Sequence, residues 1–130
     1  MTVAVLDASA LIALILDEPG AGTVRDAIAA DAAVTTVNLA EVVGYFARNS
    51  AAEPAIRAML TELRLEVVPF DTELAYSTGL LLPATRRAGL SLGDRACLAL
   101  ASRRAVKAMT TDRAWSRIAR AVGVEVEVIR

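Results

Sequence analysis

Short runs of apolar and β-branched residues alternate along the chain with longer segments whose apolar residues recur at helical spacing. The runs occupy residues 3–6, 33–37, 66–70, 106–110 and 124–129. Their lengths are typical of strands, and strands separated by helices or helix pairs are typical of a parallel sheet with right-handed crossovers. The pattern therefore predicts an α/β fold with three layers (α/β/α) around a central five-stranded parallel sheet.

Polar residues at the ends of these runs predict where the helices begin. The first helix is expected over residues 8–16, with Ser9 as its N-terminal cap, because a serine hydroxyl accepts a hydrogen bond from a free backbone N–H group. A later helix is expected to begin at Asn38. Near the C-terminus, residues 113–122 are expected to form one helix that Gly123 ends.

The distribution of charge is more informative than its total. The chain has 130 residues, 55% of them apolar, and is expected to form a single domain over residues 1–130. Its net charge is −1. Residues 1–83 carry four basic and eleven acidic side chains, whereas residues 84–120 carry nine basic and two acidic ones. A basic third of this kind could contact phosphate even though the whole chain is not basic.

The residue types that the chain lacks narrow its chemistry. It has no histidine, which excludes a Ser-His-Asp triad, a histidine acid–base pair and a histidine-ligated zinc site. Its one cysteine, Cys97, allows no disulfide framework, and no signal peptide or membrane-spanning stretch is apparent. We therefore expect a cytoplasmic protein whose chemistry depends on carboxylates, hydroxyls, arginines or a hard metal ion.

Four acidic residues lie just beyond predicted strands or at predicted helix starts. They are Asp7, Glu41, Asp94 and Asp112. Taken singly, each has an ordinary structural explanation. Asp7 and Asp112 stand where a turn or a helix cap is expected. Glu41 and Asp94 each come three residues after a polar residue at a helix start, which is the spacing of a capping box.

Considered together, the four acids favour a metal site. Three of them follow strands, and the carboxyl ends of parallel strands meet at one edge of the sheet, where ligands bind. Asp94 begins the helix that leads to the fourth strand, so it is expected near the same edge. Four carboxylates there would repel one another, and a divalent cation with oxygen ligands relieves that repulsion. Nearby side chains could hydrogen-bond the carboxylates or metal-bound water: Ser9, Asn38, Thr110 and Thr111.

The ordered set of motifs resembles a known family, the PIN-domain ribonucleases, and most closely the VapC toxins of bacterial toxin–antitoxin pairs. The order and spacing of the motifs fit over essentially the whole chain. The matching segments are Val5-Leu6-Asp7-Ala8-Ser9-Ala10, Asn38-Leu39-Ala40-Glu41-Val42, Ser91-Leu92-Gly93-Asp94-Arg95-Ala96 and Thr110-Thr111-Asp112-Arg113-Ala114-Trp115. No acidic position of the family's pattern is missing.

The resemblance implies a type II toxin that cleaves RNA endonucleolytically with Mg²⁺ or Mn²⁺ as cofactor. It implies four catalytic acids, namely Asp7, Glu41, Asp94 and Asp112, of which Asp7, Asp94 and Asp112 are expected to bind the metal. Arg95 and Arg113 directly follow two of these acids, where they could meet RNA phosphate, although either could be an ordinary solvated residue. The implied partners are a VapB-type antitoxin and a second toxin subunit in a homodimer, with no membrane.

Other metal-binding α/β proteins fit the sequence less well. A receiver-like signalling domain needs a lysine after the last strands, but the only lysine, Lys107, opens the fourth strand at the opposite edge. A phosphotransferase of the haloacid-dehalogenase type needs a second aspartate two residues after the first, where this chain has Ser9. A catalytically inactive module that binds RNA or protein stays open, although all four acids are present.

Overall fold

Five short strands and eight α-helices alternate along the chain in the computed structural model, which describes residues 1–130. The strands are β1 (Ala4–Leu6), β2 (Ala32–Thr35), β3 (Glu66–Val68), β4 (Lys107–Thr110) and β5 (Val126–Val128). The α-helices are α1 (Ala8–Ile15), α2 (Ala21–Ala30), α3 (Thr36–Arg48), α4 (Glu53–Glu62), α5 (Thr72–Leu80), α6 (Leu82–Thr85), α7 (Leu92–Arg104) and α8 (Ala119–Val122). Two 3₁₀ helices, Arg86–Ala88 and Arg113–Arg117, precede α7 and α8.

All five strands pair in parallel in the order β3-β2-β1-β4-β5. The central strand β1 pairs with β2 on one side and with β4 on the other. The chain therefore builds one half of the sheet before it builds the other, and the switch point lies at the carboxyl end of β1. The predicted five-stranded parallel sheet is confirmed. The pairing of β1 with β4 brings the end of each strand to the same crevice.

Two apolar cores, one on each face of the sheet, form the three layers. Because side chains alternate along a strand, Val5 enters one core and Leu6 enters the other. The Val5 face is covered by α5, α7 and the second 3₁₀ helix, which contribute Leu98 and the fully buried Trp115. The Leu6 face is covered by α1, α2 and α3, with Leu11 fully buried. The predicted α/β/α arrangement is confirmed.

The first helix is capped by Asp7 and not by Ser9. Asp7 has extended backbone, and its Oδ1 accepts a hydrogen bond from the N–H of Ala10 at 2.8 Å. Ser9 already lies in the first turn and donates its hydroxyl to the same oxygen at 2.7 Å. The prediction for Ser9 is wrong because the helix begins directly after β1, which leaves the cap position to the residue between them.

The helix expected to begin at Asn38 begins at Thr36, because β2 ends at Thr35 and Thr35 is its cap. The Thr35 hydroxyl oxygen accepts a hydrogen bond from the N–H of Asn38 at 3.1 Å. Asn38 therefore lies inside the first turn, and Glu41 does not have the position of a capping-box acid. The side chains of both residues are left available for other contacts.

The helix predicted over residues 113–122 is divided. The 3₁₀ helix ends at Arg117, and α8 begins at Ala119. As predicted, Gly123 ends the segment, and its left-handed backbone (φ 69°) explains the choice of glycine. None of the eight α-helices combines the length and the apolar character needed to cross a membrane.

Candidate active site at the carboxyl edge of the sheet

Asp7 lies at the switch point, one residue beyond β1. Its backbone N–H donates to the carbonyl of Met109 at 3.1 Å, so pairing with β4 continues past the end of the strand. The side chain is only 4% exposed. The sheet therefore holds Asp7 by its backbone at the position where the sequence predicted a metal ligand.

The Asp7 carboxylate is held by three hydrogen-bond donors. Its Oδ1 accepts from Ala10 and Ser9, and its Oδ2 accepts from the Thr110 hydroxyl at 2.6 Å. The Ser9 hydroxyl oxygen also accepts from the N–H of Thr111 at 3.0 Å, which ties the start of α1 to the end of β4. Two of the polar residues that the sequence placed near the acids, Ser9 and Thr110, thus contact Asp7 directly.

Asn38 performs the corresponding function for Glu41. Its amide nitrogen donates to Glu41 Oε1 at 2.9 Å and to the Gly93 carbonyl at 3.0 Å. Its carbonyl oxygen accepts from the Thr35 hydroxyl at 2.8 Å, which defines the orientation of the amide. Asn38 is fully buried, so these bonds satisfy its polar atoms and fix the Glu41 carboxylate against the start of α7.

The other two acids cap helices and still present a free oxygen. Asp94 forms a capping box with Ser91, in which its Oδ2 accepts from the Ser91 N–H at 2.8 Å. Asp112 caps the second 3₁₀ helix through Oδ1, which accepts from the N–H of Ala114 at 2.9 Å. Capping and metal binding are therefore compatible. The carboxylate oxygens without a hydrogen-bond partner are Asp94 Oδ1, Asp112 Oδ2 and Glu41 Oε2.

Burial and mutual repulsion perturb the acids of this site. Burial raises the pKa of Asp7 to about 6, against the lowering effect of its donors, and the negative charge of Asp94 adds to the rise. Partial burial likewise raises the pKa of Glu41 and of Asp94. Asp94 contributes to the rise at Glu41, and Asp112 contributes to the rise at Asp94. The negative charge of Asp94 thus acts on both Asp7 and Glu41.

None of these four acids forms an ion pair, although the positive charge of Arg95 partly offsets the rise in the pKa of Asp94. Seven acidic side chains elsewhere form ion pairs, but Asp7, Glu41, Asp94 and Asp112 form none. Hard oxygen donors without a counter-charge fit Mg²⁺ or Mn²⁺. As placed, however, no three acidic or cysteine side chains stand close enough together to hold one ion. Few direct protein bonds are compatible with Mg²⁺, which keeps several of its waters.

The basic third of the chain is divided between two regions. Arg103, Arg104 and Lys107 form ion pairs with other acids. Arg113, in contrast, is exposed without an ion-pair partner directly after Asp112. Arg95 is half-buried and donates to the carbonyl of Thr78 on α5 at 3.2 Å, so its guanidinium is already engaged inside the protein.

Sequence reasoning missed two contributors to this site, Thr35 and Gly93. Thr35 was assigned to a strand interior, and its role depends on where β2 ends. Gly93 lies in the first turn of α7 against the Glu41 carboxylate. The available signal for Gly93 was a glycine inside a predicted helix, a position that disfavours glycine unless packing requires it.

Comparison with known proteins places the chain among proteins of one fold. Three solved structures illustrate the likeness. "DNA bound VapBC from Salmonella typhimurium" is similar over 98% of both chains, with 22% identity and a TM-score of 0.74. VapBC2 from Rickettsia felis, bound to a promoter DNA fragment, is similar over 96% of this chain and 97% of that chain, with 17% identity and a TM-score of 0.72. VapBC-5 from Mycobacterium tuberculosis, a toxin–antitoxin family member, is similar over 97% and 98%, with 27% identity and a TM-score of 0.58.

A family model identifies the domain directly. No curated protein matches the chain in sequence. The model of the PIN domain, in contrast, matches residues 4–121. This range includes all four acids of the site and four of the five strands, and it ends before β5. The resemblance found in the sequence motifs is confirmed at this level: the chain belongs to the PIN domain family.

Proposed function

We propose that this protein is a metal-dependent endoribonuclease, the VapC-type toxin of a type II toxin–antitoxin pair. One observation carries the proposal: Asp7 lies at the switch point of a parallel sheet, the negative charge of Asp94 acts on both Asp7 and Glu41, and neither these three acids nor Asp112 form an ion pair. Family membership and the likeness to VapBC structures support it. We also propose that the protein is cytoplasmic, where an RNA substrate is available.

The chain's own residues have distinct parts in this reaction. Asp7, Asp94 and Asp112 would hold Mg²⁺ or Mn²⁺ in part through the waters that the ion keeps, and Glu41 would complete the carboxylate set. The bound ion would supply an activated water for attack on phosphorus. Thr110 and Ser9 keep the Asp7 carboxylate in place, and each donates a hydrogen bond that favours its ionised form.

Because the chain has no histidine, we can predict which chemical groups stand at the ends of the RNA fragments. An attack by the RNA 2′-hydroxyl would need a side-chain base to remove its proton and an acid for the leaving group. Histidine most often has these tasks, and without histidine the chain would have to assign them to the carboxylates that we propose bind metal. Attack by water instead leaves a 5′-phosphate and a 3′-hydroxyl. We expect these ends on every fragment.

The decisive experiment is RNA cleavage by the purified protein with and without divalent metal. Structured cellular RNAs are incubated with Mg²⁺, with Mn²⁺ or with chelator, beside an Asp94→Asn variant. We expect cleavage with either metal and none in chelator. In the variant the rate should fall by at least about a hundredfold, because loss of a residue that only hydrogen-bonds a metal ligand already lowers activity by about 10–100-fold. The 5′ and 3′ ends of the fragments are then identified.

Three results would contradict the proposal. Cleavage that survives chelator, or that is unchanged in Asp94→Asn, would exclude this site as its source. Fragments with 2′,3′-cyclic phosphate would exclude attack by water. Metal binding without cleavage of any RNA would favour the alternative of an inactive binding module, which the separation of the four acids leaves as the second candidate.

The exposed arginines beside Asp112 are the expected phosphate contacts. Arg113 and Arg117 lie on the second 3₁₀ helix, are exposed and form no ion pair. In the cleavage-deficient Asp94→Asn background, Arg113→Gln is expected to weaken RNA binding and to lower the slope of log K against log salt by about 1. The matched control is Arg57→Gln, which removes an equal charge from α4, a helix that carries none of the four acids. An equal loss in both variants would mean that only net charge matters.

Arg95 was also expected to contact RNA phosphate, and this stays a prediction. Its hydrogen bond to Thr78 and its partial burial favour a second task, that of joining α5 to the start of α7. The same binding measurement on Arg95→Gln separates the two tasks, because loss of a phosphate contact lowers the salt slope and loss of a packing contact does not.

Two exposed apolar surfaces support protein partners. A groove of about 760 Å³ between α3 and α4 is lined mainly by apolar side chains, among them Leu39, Ile56 and Leu60. We infer that it receives a VapB-type antitoxin; an antitoxin-like reading frame beside the gene would support this.

On α5, Tyr76 and Leu80 are 69% and 77% exposed. We infer that this surface forms a homodimer, which sedimentation equilibrium of the isolated chain will distinguish from a monomer.

A further inference from the structure

Gly93 occupies a position where a side chain is sterically excluded by a single neighbour. It is buried in the first turn of α7, directly before Asp94. A β-carbon built on Gly93 would overlap the Glu41 carboxylate, lying 2.5 Å from both Cδ and Oε2. No other atoms are among its three nearest contacts. The space that the missing side chain leaves is thus filled by the carboxylate of Glu41.

Backbone conformation does not explain this glycine. Its φ is not in the left-handed region, whereas Gly20, Gly89 and Gly123 all have positive φ. Helix interiors disfavour glycine relative to alanine, so a helix at this position gains nothing from it. The remaining explanation is the close approach of Glu41.

Asn38 holds the Glu41 carboxylate in that space. Its amide nitrogen donates both to Glu41 Oε1 and to the carbonyl of Gly93, at 2.9 and 3.0 Å. The carboxylate is therefore fastened from one side by Asn38 and rests on the Cα of Gly93 on the other. This arrangement brings the carboxylate of Glu41 on α3 against the backbone of α7, one residue before Asp94.

We propose that Gly93 is a positioning residue for Glu41, and that the absence of its side chain creates the seat that brings Glu41 to the cation held near Asp94. This rests on the proposed metal-dependent function. A β-carbon would push the carboxylate out of the seat. Because that carboxylate is the far end of an exposed, flexible side chain, it can move without disrupting the core. Metal affinity is then lowered while the fold is kept.

The test is Mn²⁺ binding by calorimetry to the purified chain and its Gly93→Ala variant. We expect the variant to bind Mn²⁺ at least about tenfold more weakly, by analogy with other groups that orient metal ligands. Its thermal unfolding midpoint is expected to be unchanged or higher, because alanine is the better helix former. The matched control is Gly44→Ala, which lies on the same helix as Glu41 with no atom near its added β-carbon.

A double-mutant cycle separates positioning from general packing. In a Glu41→Gln background, Gly93→Ala is expected to have no further effect on Mn²⁺ affinity, because the displaced ligand is already absent. An additive loss, an unchanged affinity of Gly93→Ala, or a fall in its unfolding midpoint of more than about 5 °C would overturn the inference. A wild-type chain that binds no Mn²⁺ would overturn the proposed function itself, and with it this inference.

Discussion

Replacement of Asp7 by asparagine is expected to abolish RNA cleavage and at the same time to make the metal-free protein more stable. The rate of cleavage should fall by more than about a hundredfold, because a metal ligand is removed. Loss of a residue that only hydrogen-bonds a metal ligand already lowers metal affinity or activity by about 10–100-fold. The gain in stability has a separate cause. Burial raises the pKa of Asp7 from 3.8 to about 6, so the ionised carboxylate is disfavoured in the folded state.

The sign of the stability change follows from linkage. An acid whose folded-state pKa is raised costs no stability below its unfolded pKa, because it is protonated in both states. The cost grows as the pH rises from about 4 and is complete above about 6, the folded-state pKa. At pH 7 it amounts to about 3 kcal/mol from the raised pKa of Asp7. Asparagine carries no charge, can still cap α1 and therefore avoids this cost.

The test is urea unfolding in the presence of chelator, which gives the free energy of unfolding of the wild type and of Asp7→Asn at pH 4 and at pH 7. Asp7→Asn should be more stable than wild type at pH 7, by up to about 3 kcal/mol, and the difference should shrink at pH 4. The matched control is Asp26→Asn, an exposed aspartate of α2 outside any ion pair, which should change neither stability nor cleavage. A variant of Asp7 that is less stable than wild type at pH 7 would show that the ionised carboxylate stabilises the fold.

The stability that Asp7→Asn is expected to gain also shows why local sequence rules predict this site poorly. A buried acid with a raised pKa opposes folding, and sites that do so are commonly functional. The sequence placed Asp7 at the edge of the sheet because the apolar run before it is strand-like and the sheet is parallel. Its burial and its hydrogen bond with Thr110 come from the pairing of β1 with β4, residues about a hundred positions apart. Local pattern carries no information on such a contact.

The errors in the helix starts have the same origin. Ser9 and Asn38 are good cap residues by type, and local propensity alone assigns them to that role. The actual ends of β1 and β2 move the caps to Asp7 and Thr35, two and three residues earlier. Each misassigned residue then proves to support an acid: Ser9 donates to Asp7 and Asn38 donates to Glu41. The placement of these residues at one edge of the sheet was therefore predictable, whereas their contacts depended on where each strand ends.

Replacement of Thr110 by valine is the second change with a large expected effect. Thr110 is fully buried at the end of β4, and its hydroxyl donates to Asp7 Oδ2 at 2.6 Å while accepting from the N–H of Asp112 at 3.0 Å. Valine has the same shape and lacks the hydroxyl. Among the hydrogen bonds that lower the pKa of Asp7, the one from Thr110 has the largest effect, so its removal raises that pKa further above about 6.

The consequence should appear in both metal binding and pH dependence. A divalent ion requires the ionised carboxylate, so a higher pKa makes protons compete more effectively for the same oxygens. We expect Mn²⁺ affinity at pH 7 to fall by about 10–100-fold and the acid limb of the cleavage profile to move to higher pH. The free energy of unfolding should fall as well, by about 1.5–3 kcal/mol at pH 8 and by less at pH 4, where Asp7 is already protonated in the folded state and a further rise of its pKa has little effect.

Thr111→Val is the control that makes this test specific to the site. Thr111 is the next residue along the chain, and its own hydroxyl forms no hydrogen bond; only its backbone N–H is used, by Ser9. The same chemical change there should leave metal affinity, stability and the pH profile as in wild type. If Thr110→Val binds Mn²⁺ as tightly as Thr111→Val and keeps the same acid limb, the hydroxyl does not tune Asp7. The buried bond would then serve only to fasten β4 to β1.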